Sequence, residues 1–271
     1  MHSYRLLVVA TSLDRPHLAL FEGLRAAGVR VEVCFDPASP RRSAILQAFP
    51  EARFLPVRHR LDLRAARTLR RWIAGDPPDI LYAPDNKPLS ISLMATRGLP
   101  VRVIGYRGTL GHLSRWDPAA WLTYLHPRLA RIVCVSEAVA DYLRNDLRLP
   151  PDRVVSIYKG HDPAWYDGVP ASPLTRASLG LPAEARIIGF VGNMRPVKGV
   201  DVLIRAMDRL PPEAHLLLAG EVADSRLRPL AGQTPERRTR IHFLGPTADI
   251  LGLLDLLDVF VMPSVAREGL P

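Results

Sequence analysis

The stretch Gly189-Phe190-Val191-Gly192-Asn193-Met194-Arg195-Pro196-Val197-Lys198-Gly199-Val200-Asp201 reads as a β-strand that stops at a small-residue turn, offers an arginine and a lysine three positions apart, and enters a helix near Gly199. Backbone N–H groups at such a turn and helix start, with two cations beside them, suit a diphosphate whose charge grows as it departs. By itself the stretch fits equally a glycine turn flanked by two solvated cations. Working outward, the pattern predicts strand 186–191, helix 200–210, strands 215–219 and 241–244, helix 248–257 and strand 259–262. Short apolar runs separated by amphipathic ones are the signature of parallel strands joined by crossover helices. The run stops at Pro271 after four strands, leaving the last strand without a helix to cover it, so an incomplete domain of a longer parent is expected.

Upstream, the composition of residues 161–182 turns to Gly, Asp, Pro, Ser and isolated aromatics, with prolines at 163, 170, 173 and 182, and reads as a linker. Before it, strands are expected at 5–10, 29–35, 79–83, 101–106, 131–135 and 154–157. A helix over 17–27 is closed by Gly28, and Ser136-Glu137-Ala138-Val139 opens another in the manner of a capping box. The expected fold class is therefore α/β, with two doubly wound domains at 1–160 and 183–271, the second incomplete.

With 271 residues, 48% of them hydrophobic, the chain can supply real cores. No apolar run approaches the ~18 residues of a spanning helix. Leu6-Leu7-Val8-Val9-Ala10 is too short for a signal-peptide core, and Asp14 and Arg15 follow it, so it reads as a buried first strand. Cys34 and Cys134 have neither the number nor the spacing of a disulfide framework or zinc site, and read as core residues in a reducing cytoplasm. A formal charge of +9 favours anionic partners without choosing among them.

A second informative stretch is Val261-Met262-Pro263-Ser264-Val265-Ala266-Arg267-Glu268-Gly269-Leu270-Pro271, where a strand end delivers Ser264 and a loop with one acid. Such a carboxylate accepts hydrogen bonds from sugar or ribose hydroxyls, although alone it reads as an ordinary solvated glutamate. Taken in order, 191–206, Leu216-Leu217-Leu218-Ala219-Gly220-Glu221, 259–264 and 267–271 closely resemble family 4 of the retaining glycosyltransferases, which have the GT-B architecture of two Rossmann-like domains. That resemblance covers the whole chain and is strongest from residue 186 onward. It implies an acceptor-side domain first and a nucleotide-sugar-binding domain second. Arg195 and Lys198 would bind the donor diphosphate, and Gly192, with Asn193 in the same turn, would permit close backbone approach. Glu268 with the amides of Gly269 and Leu270 would hold the transferring sugar, and Glu221 is a further donor-side candidate. The family's second glutamate, eight positions on, would fall beyond Pro271, so this chain alone is expected to bind donor weakly or not at all.

In the first domain, the glycine-rich loop 105–118 follows a strand, and loops past strand C-termini are where ligands sit in open α/β sheets. The resemblance assigns His112 to the reacting sugar; the plainer reading is a histidine at a turn. Arg107, Arg115 and Asp85 are acceptor-side candidates on the same placement, or ordinary loop polarity. The first loop, 10–15, contains no glycine and no Gly-x-Gly-x-x-Gly occurs, which argues against a dehydrogenase. With no Asp-x-Asp and no ligand-spaced cluster, no metal and no cofactor are expected, the nucleotide diphosphate sugar being a substrate. Residues 58–71 read as a basic amphipathic helix with Leu61, Ala65, Thr68, Leu69 and Trp72 near one face, either resting on an anionic membrane or presenting a solvated face.

The expected function is hexosyl transfer, with retention and without metal, from a nucleotide diphosphate sugar to a glycan or lipid-linked acceptor in surface polysaccharide synthesis. The expected location is the cytoplasm, with peripheral contact at the inner membrane face. The rivals are a truncated, non-catalytic nucleotide-sugar-binding fragment and a sugar-nucleotide epimerase of the same fold. Nucleic acid is disfavoured as a partner because the basic residues are dispersed and no binding motif accompanies them.

Overall fold

The computed structural model describes residues 4–266, 268 and 269. Two compact units meet in sequence between Asp162 and Pro163. In the first, the elements are β1 (Arg5–Ala10), α1 (Arg15–Ala26), β2 (Arg30–Phe35), α2 (Arg42–Ala48), β3 (Arg53–Phe54), α3 (Leu63–Ile73), β4 (Ile80–Ala83), α4 (Asn86–Ala95), β5 (Arg102–Arg107), α5 (Pro118–Trp121), β6 (Leu129–Cys134), α6 (Glu137–Asp141) and β7 (Val154–Ser156). The strands form a seven-stranded sheet in the order β3-β2-β1-β4-β5-β6-β7, and every pairing is parallel. Chain order reverses between β1 and β4, the place where an open α/β sheet leaves a crevice beyond its strand ends.

Strands buried on both faces become continuous apolar runs. Leu7, Val9 and Leu81 point into one core layer with Leu69, Ile73 and Leu89, whereas Leu6, Val8 and Tyr82 point into the other with Phe21, Ile45 and Phe49. Helix α1 begins where Asp14 accepts from the His17 amide at 3.1 Å, with proline in its first turn, and stops before Gly28 at φ 90°. Helix α4, which the sequence reading leaves as loop around Asp85, is buried along most of its length because it covers the sheet beneath α3.

The basic segment departs from the expected 58–71 helix. Asp62, buried, accepts from the amides of Arg58, Arg64 and Ala65, so the helix starts at Leu63 and residues 58–62 are a turn. Its apolar face of Ala65, Ala66, Leu69 and Ile73 lies in the core, and Leu61 is exposed. That face packs inside the protein rather than on a membrane.

The second unit contains β8 (Arg186–Val191), α7 (Val200–Ala206), β9 (Ala214–Ala219), α8 (Leu227–Ala231), α9 (Pro235–Arg240), β10 (Ile241–Gly245), α10 (Ile250–Leu256) and β11 (Val259–Phe260). Its parallel sheet runs β10-β9-β8-β11, so chain order reverses between β8 and β11. Residues 163–182, expected as a linker, fall in this unit: Leu174, Leu179 and Leu181 pack with Ile187, Leu217 and Leu253, and Ser172 Oγ bonds the Asp249 carboxylate ahead of α10. Helices α8 and α9 have no counterpart in the sequence reading; α9 is secured by Arg237, whose guanidinium Nε reaches Asp208 at 2.8 Å.

On β9 and β10 the rings of His215 and His242 stack, with Nδ1 of one 3.1 Å from Nε2 of the other. Burial lowers both affinities for a proton, reinforced for His215 by Arg240 and for His242 by His215 itself. Both folded values lie below the ordinary 6.5, so as pH falls the unfolded chain takes up protons first and stability is lost. The expected result is a Tm that declines once pH drops below that ordinary value. His126 shifts the same way through burial, so the pair's share is read from a His242→Phe variant, in which the decline is shallower.

Candidate functional site

In the second unit the loops beyond β8, β9 and β10 are tied to one another by main-chain bonds. The Gly192 amide donates to the Ala219 carbonyl at 2.9 Å, Met194 to Glu221 at 2.8 Å, and Gly220 to Gly245 at 2.8 Å. After the turn, Pro196–Lys198 form a single 3₁₀ turn and Gly199 takes a left-handed φ of 64°. A side chain there is forbidden twice over, because an added Cβ would sit 2.1 Å from the Pro263 carbonyl oxygen. That close approach brings the β11 loop against the β8 loop, where the Val265 amide donates to the Val197 carbonyl at 3.0 Å.

The consequence is a pairing of residues from the two informative sequence stretches. Lys198 Nζ lies 2.7 Å from Glu268 Oε1, with side chains 17% and 25% exposed, so the ion pair is partly shielded but reachable. Ser264 Oγ donates to the same carboxylate oxygen at 3.2 Å. Arg195 is exposed in the same turn, and its guanidinium has no hydrogen bond or ion pair among the described residues. Asn193 reaches Glu221 Oε2 only at 3.5 Å. Gly269 is buried beside Glu268, whereas Leu270, with Arg267 and Pro271, lies outside the described residues. A lysine held by a carboxylate, an open arginine and small-residue turns at a strand-order reversal can accept an anion with hydroxyl groups nearby.

In the first unit the structure separates the candidates. His112 is exposed and, unusually for a non-glycine residue, left-handed at φ 59°, directly after Gly111 at φ 68°. Arg107 is 6% exposed and turned inward. Its Nε donates to the Thr109 carbonyl at 2.9 Å, Nη2 bonds the Gly111 carbonyl, and the guanidinium lies 5.1 Å from the Tyr124 ring centre. This placement makes Arg107 the clamp of the His112 loop rather than an open acceptor contact. Arg115 spends Nη1 on the Leu147 carbonyl at 2.9 Å. Asp85 precedes α4 and accepts from the Thr11 amide at 2.7 Å, linking the loops on either side of the β1/β4 reversal.

Arg107→Ala would remove two hydrogen bonds from a charged donor to the Thr109 and Gly111 carbonyls, a loss of about 1.5–3 kcal/mol. The expected result is faster amide exchange across 109–112, measured by hydrogen exchange, with little change in the second unit.

The sequence reading gives no role to a further cluster beside β1. The Asp14 carboxylate accepts from His17 Nδ1 at 2.8 Å and pairs with Lys159. Burial alone would raise its proton affinity, but the hydrogen bonds from His17 and Lys159 prevail and hold it well below the usual carboxylate range. Lys159 lies 145 positions away, so the only local signal is the helix-capping position of Asp14. Among the described residues, no group of three His, Cys, Asp or Glu side chains is arranged to hold a metal, and no helix is long and apolar enough to cross a membrane.

Residues 18–165 match the model of Glycosyltransferase Family 4. The chain belongs to that family. Residues 185–271 of this family 4 chain match the model of Glycosyl transferases group 1. A D-inositol 3-phosphate glycosyltransferase of Kineococcus radiotolerans is 35% identical over 141 residues, which is 52% of this chain and 31% of that protein. The alpha-maltose-1-phosphate synthase of Mycolicibacterium smegmatis is 31% identical over 145 residues, covering 49% of this chain and 38% of its own length. The matched part of the chain thus spans about a third of the length of these curated relatives. Among solved structures, Anabaena HepE in complex with UDP superposes with TM-score 0.75 at 20% identity, over 98% of this chain and 75% of that one. Sucrose-phosphate synthase from Thermosynechococcus elongatus gives 0.67 at 16%, over 99% and 77%. These likenesses show the two-domain α/β fold of the GT-B glycosyltransferases.

Proposed function

We propose that this family 4 chain binds a nucleotide diphosphate sugar and transfers its hexosyl group, with retention and without a metal ion, to a glycan or lipid-linked acceptor. The observation that carries the reading is the meeting of Lys198 with Glu268 beside the open guanidinium of Arg195. A bound diphosphate would draw both cations, and the charge that develops on it as the sugar departs is what they would stabilise most. The Glu268 carboxylate and the Gly269 amide are then assigned to sugar hydroxyls, and Gly192, Asn193 and Glu221 to the donor side. His112 is assigned to orienting the sugar, and Asp85 and Arg115 to the acceptor side, with Arg107 acting through the loop it clamps. The HepE structure in complex with UDP supports the donor class. The reading extends to work in surface polysaccharide synthesis on the cytoplasmic side, at an anionic membrane face.

Calorimetric titration with uridine and guanosine diphosphates, paired with release of the nucleotide from its sugar on adding acceptor mixtures, tests this. Binding of one diphosphate together with sugar transfer is expected of the full-length protein. A full-length protein that binds neither nucleotide defeats the donor assignment, and binding without transfer to any acceptor favours the rival of a nucleotide-sugar-binding module.

A further inference from the structure

Of the expected apolar face Ala65 and Leu69 are internal, yet the same region leaves apolar groups outside. Leu61 and Leu63 are 52% and 54% exposed at the turn leading into α3. Between residues 58 and 73 stand six arginines against one acid, Asp62, which is buried and occupied by backbone amides. The turn is held rigid, since Ser90 Oγ donates to the Arg60 carbonyl at 2.7 Å.

Two hollows flank Leu61. One, of about 550 Å³, is lined by Leu61, Leu63, Arg58, Arg64 and Arg67 among others. The second, of about 530 Å³, joins Leu61 and Arg60 to Lys87 and Leu122. Beside Leu122 stands Trp121, 43% exposed, whose indole N–H is already satisfied by the Arg115 carbonyl at 2.8 Å. Trp116, from the same loop, is 93% exposed. A tryptophan so open forgoes a large apolar contact area, and its ring favours the boundary between water and lipid.

We propose that the turn and outer face at 58–67, together with the loop 115–122, form a docking surface for an anionic lipid bilayer, with Trp116, Leu61 and Leu63 entering the interface. Charge complementarity selects this occupant: Arg58, Arg60, Arg64, Arg67 and Lys87 meet lipid phosphates while the apolar tips reach the acyl boundary. A polyphosphate chain would answer the arginines but leave the leucines without a role. This deepens the reading of a membrane-side acceptor: of the face the helix pattern suggested it keeps only Leu61, and it adds Leu63 and Trp116.

The test is sedimentation of the protein with phosphatidylcholine vesicles made with and without phosphatidylglycerol, with tryptophan emission read in parallel. Binding only to the anionic vesicles, weakened by salt and accompanied by a blue shift, is expected. Arg64→Glu with Arg67→Glu should weaken it about tenfold or more, and Leu61→Ser with Leu63→Ser should do so with the charge intact. Trp116→Phe should bind while losing most of the blue shift. No vesicle binding, or binding untouched by the leucine substitutions and without a blue shift, overturns the proposal. A diphosphate titration on the same preparations separates the two readings, because donor affinity without vesicle binding sinks only the docking surface, and the converse sinks only the donor site.

Discussion

Replacing Lys198 by alanine is expected to lower sugar transfer about 10²–10³-fold, the loss that follows removal of one preorganised electrostatic contact to developing charge. The same change should weaken diphosphate binding and leave Glu268 without its 2.7 Å partner. Stability should fall as well, because the side chains are 17% and 25% exposed, between surface pairs worth up to about 1 kcal/mol and buried pairs whose breaking costs about 3–5 kcal/mol. Arg195→Ala gives a cleaner comparison. Its guanidinium is open and has no partner among the described residues, so a loss of diphosphate affinity without a shift in Tm assigns it to the ligand. A double-mutant cycle over Lys198 and Glu268 should be strongly non-additive for turnover, since either substitution disturbs the same group. If both cation variants bind diphosphate as the parent does, the donor assignment is wrong.

Gly220→Ala is expected to destabilise the second unit by about 2–6 kcal/mol. About 1–3 kcal/mol comes from a side chain held in an unfavourable backbone region, here at φ 121°, and about 1–3 from overpacking. The overpacking arises because the added Cβ would lie 2.1 Å from the Gly192 carbonyl oxygen, which is backbone and cannot rotate away. Gly245 is the control, since it shares a positive φ of 73° but has open space where a Cβ would go. Gly245→Ala should therefore show only the conformational part of the loss. Denaturant midpoints measure both, and equal losses at the two positions would show that the close approach of the β8 and β9 loops carries no weight. Any Gly220→Ala protein that still folds should also bind diphosphate weakly, because Gly192 opens the turn that presents Arg195.

The strands were legible locally because a sheet covered on both faces needs uninterrupted apolar residues, and 186–191 and 5–10 satisfy that demand without reference to the rest of the chain. The cation pair of 195 and 198 was legible for a similar reason, since its spacing, its proline and its two flanking glycines are all local. Direction and partnership were not. Arg107 and Arg195 are both loop arginines after a strand, yet one is buried against Tyr124 and the other stands in water. Likewise, helical periodicity identifies an apolar stripe at 61–72 but is blind to whether α4 or a membrane covers it.

What the sequence by itself determined is the doubly wound pattern, the family and the chemistry of the turn at 192–199, all of which depend on residues a few positions apart. Only the tertiary structure decided that Lys198 meets Glu268, 70 positions later, because that contact requires β11 to pair with β8 and Gly199 to admit the Pro263 carbonyl. Contacts of that kind depend on which strand lies beside which, a property of the whole packed sheet that no local run of side chains encodes.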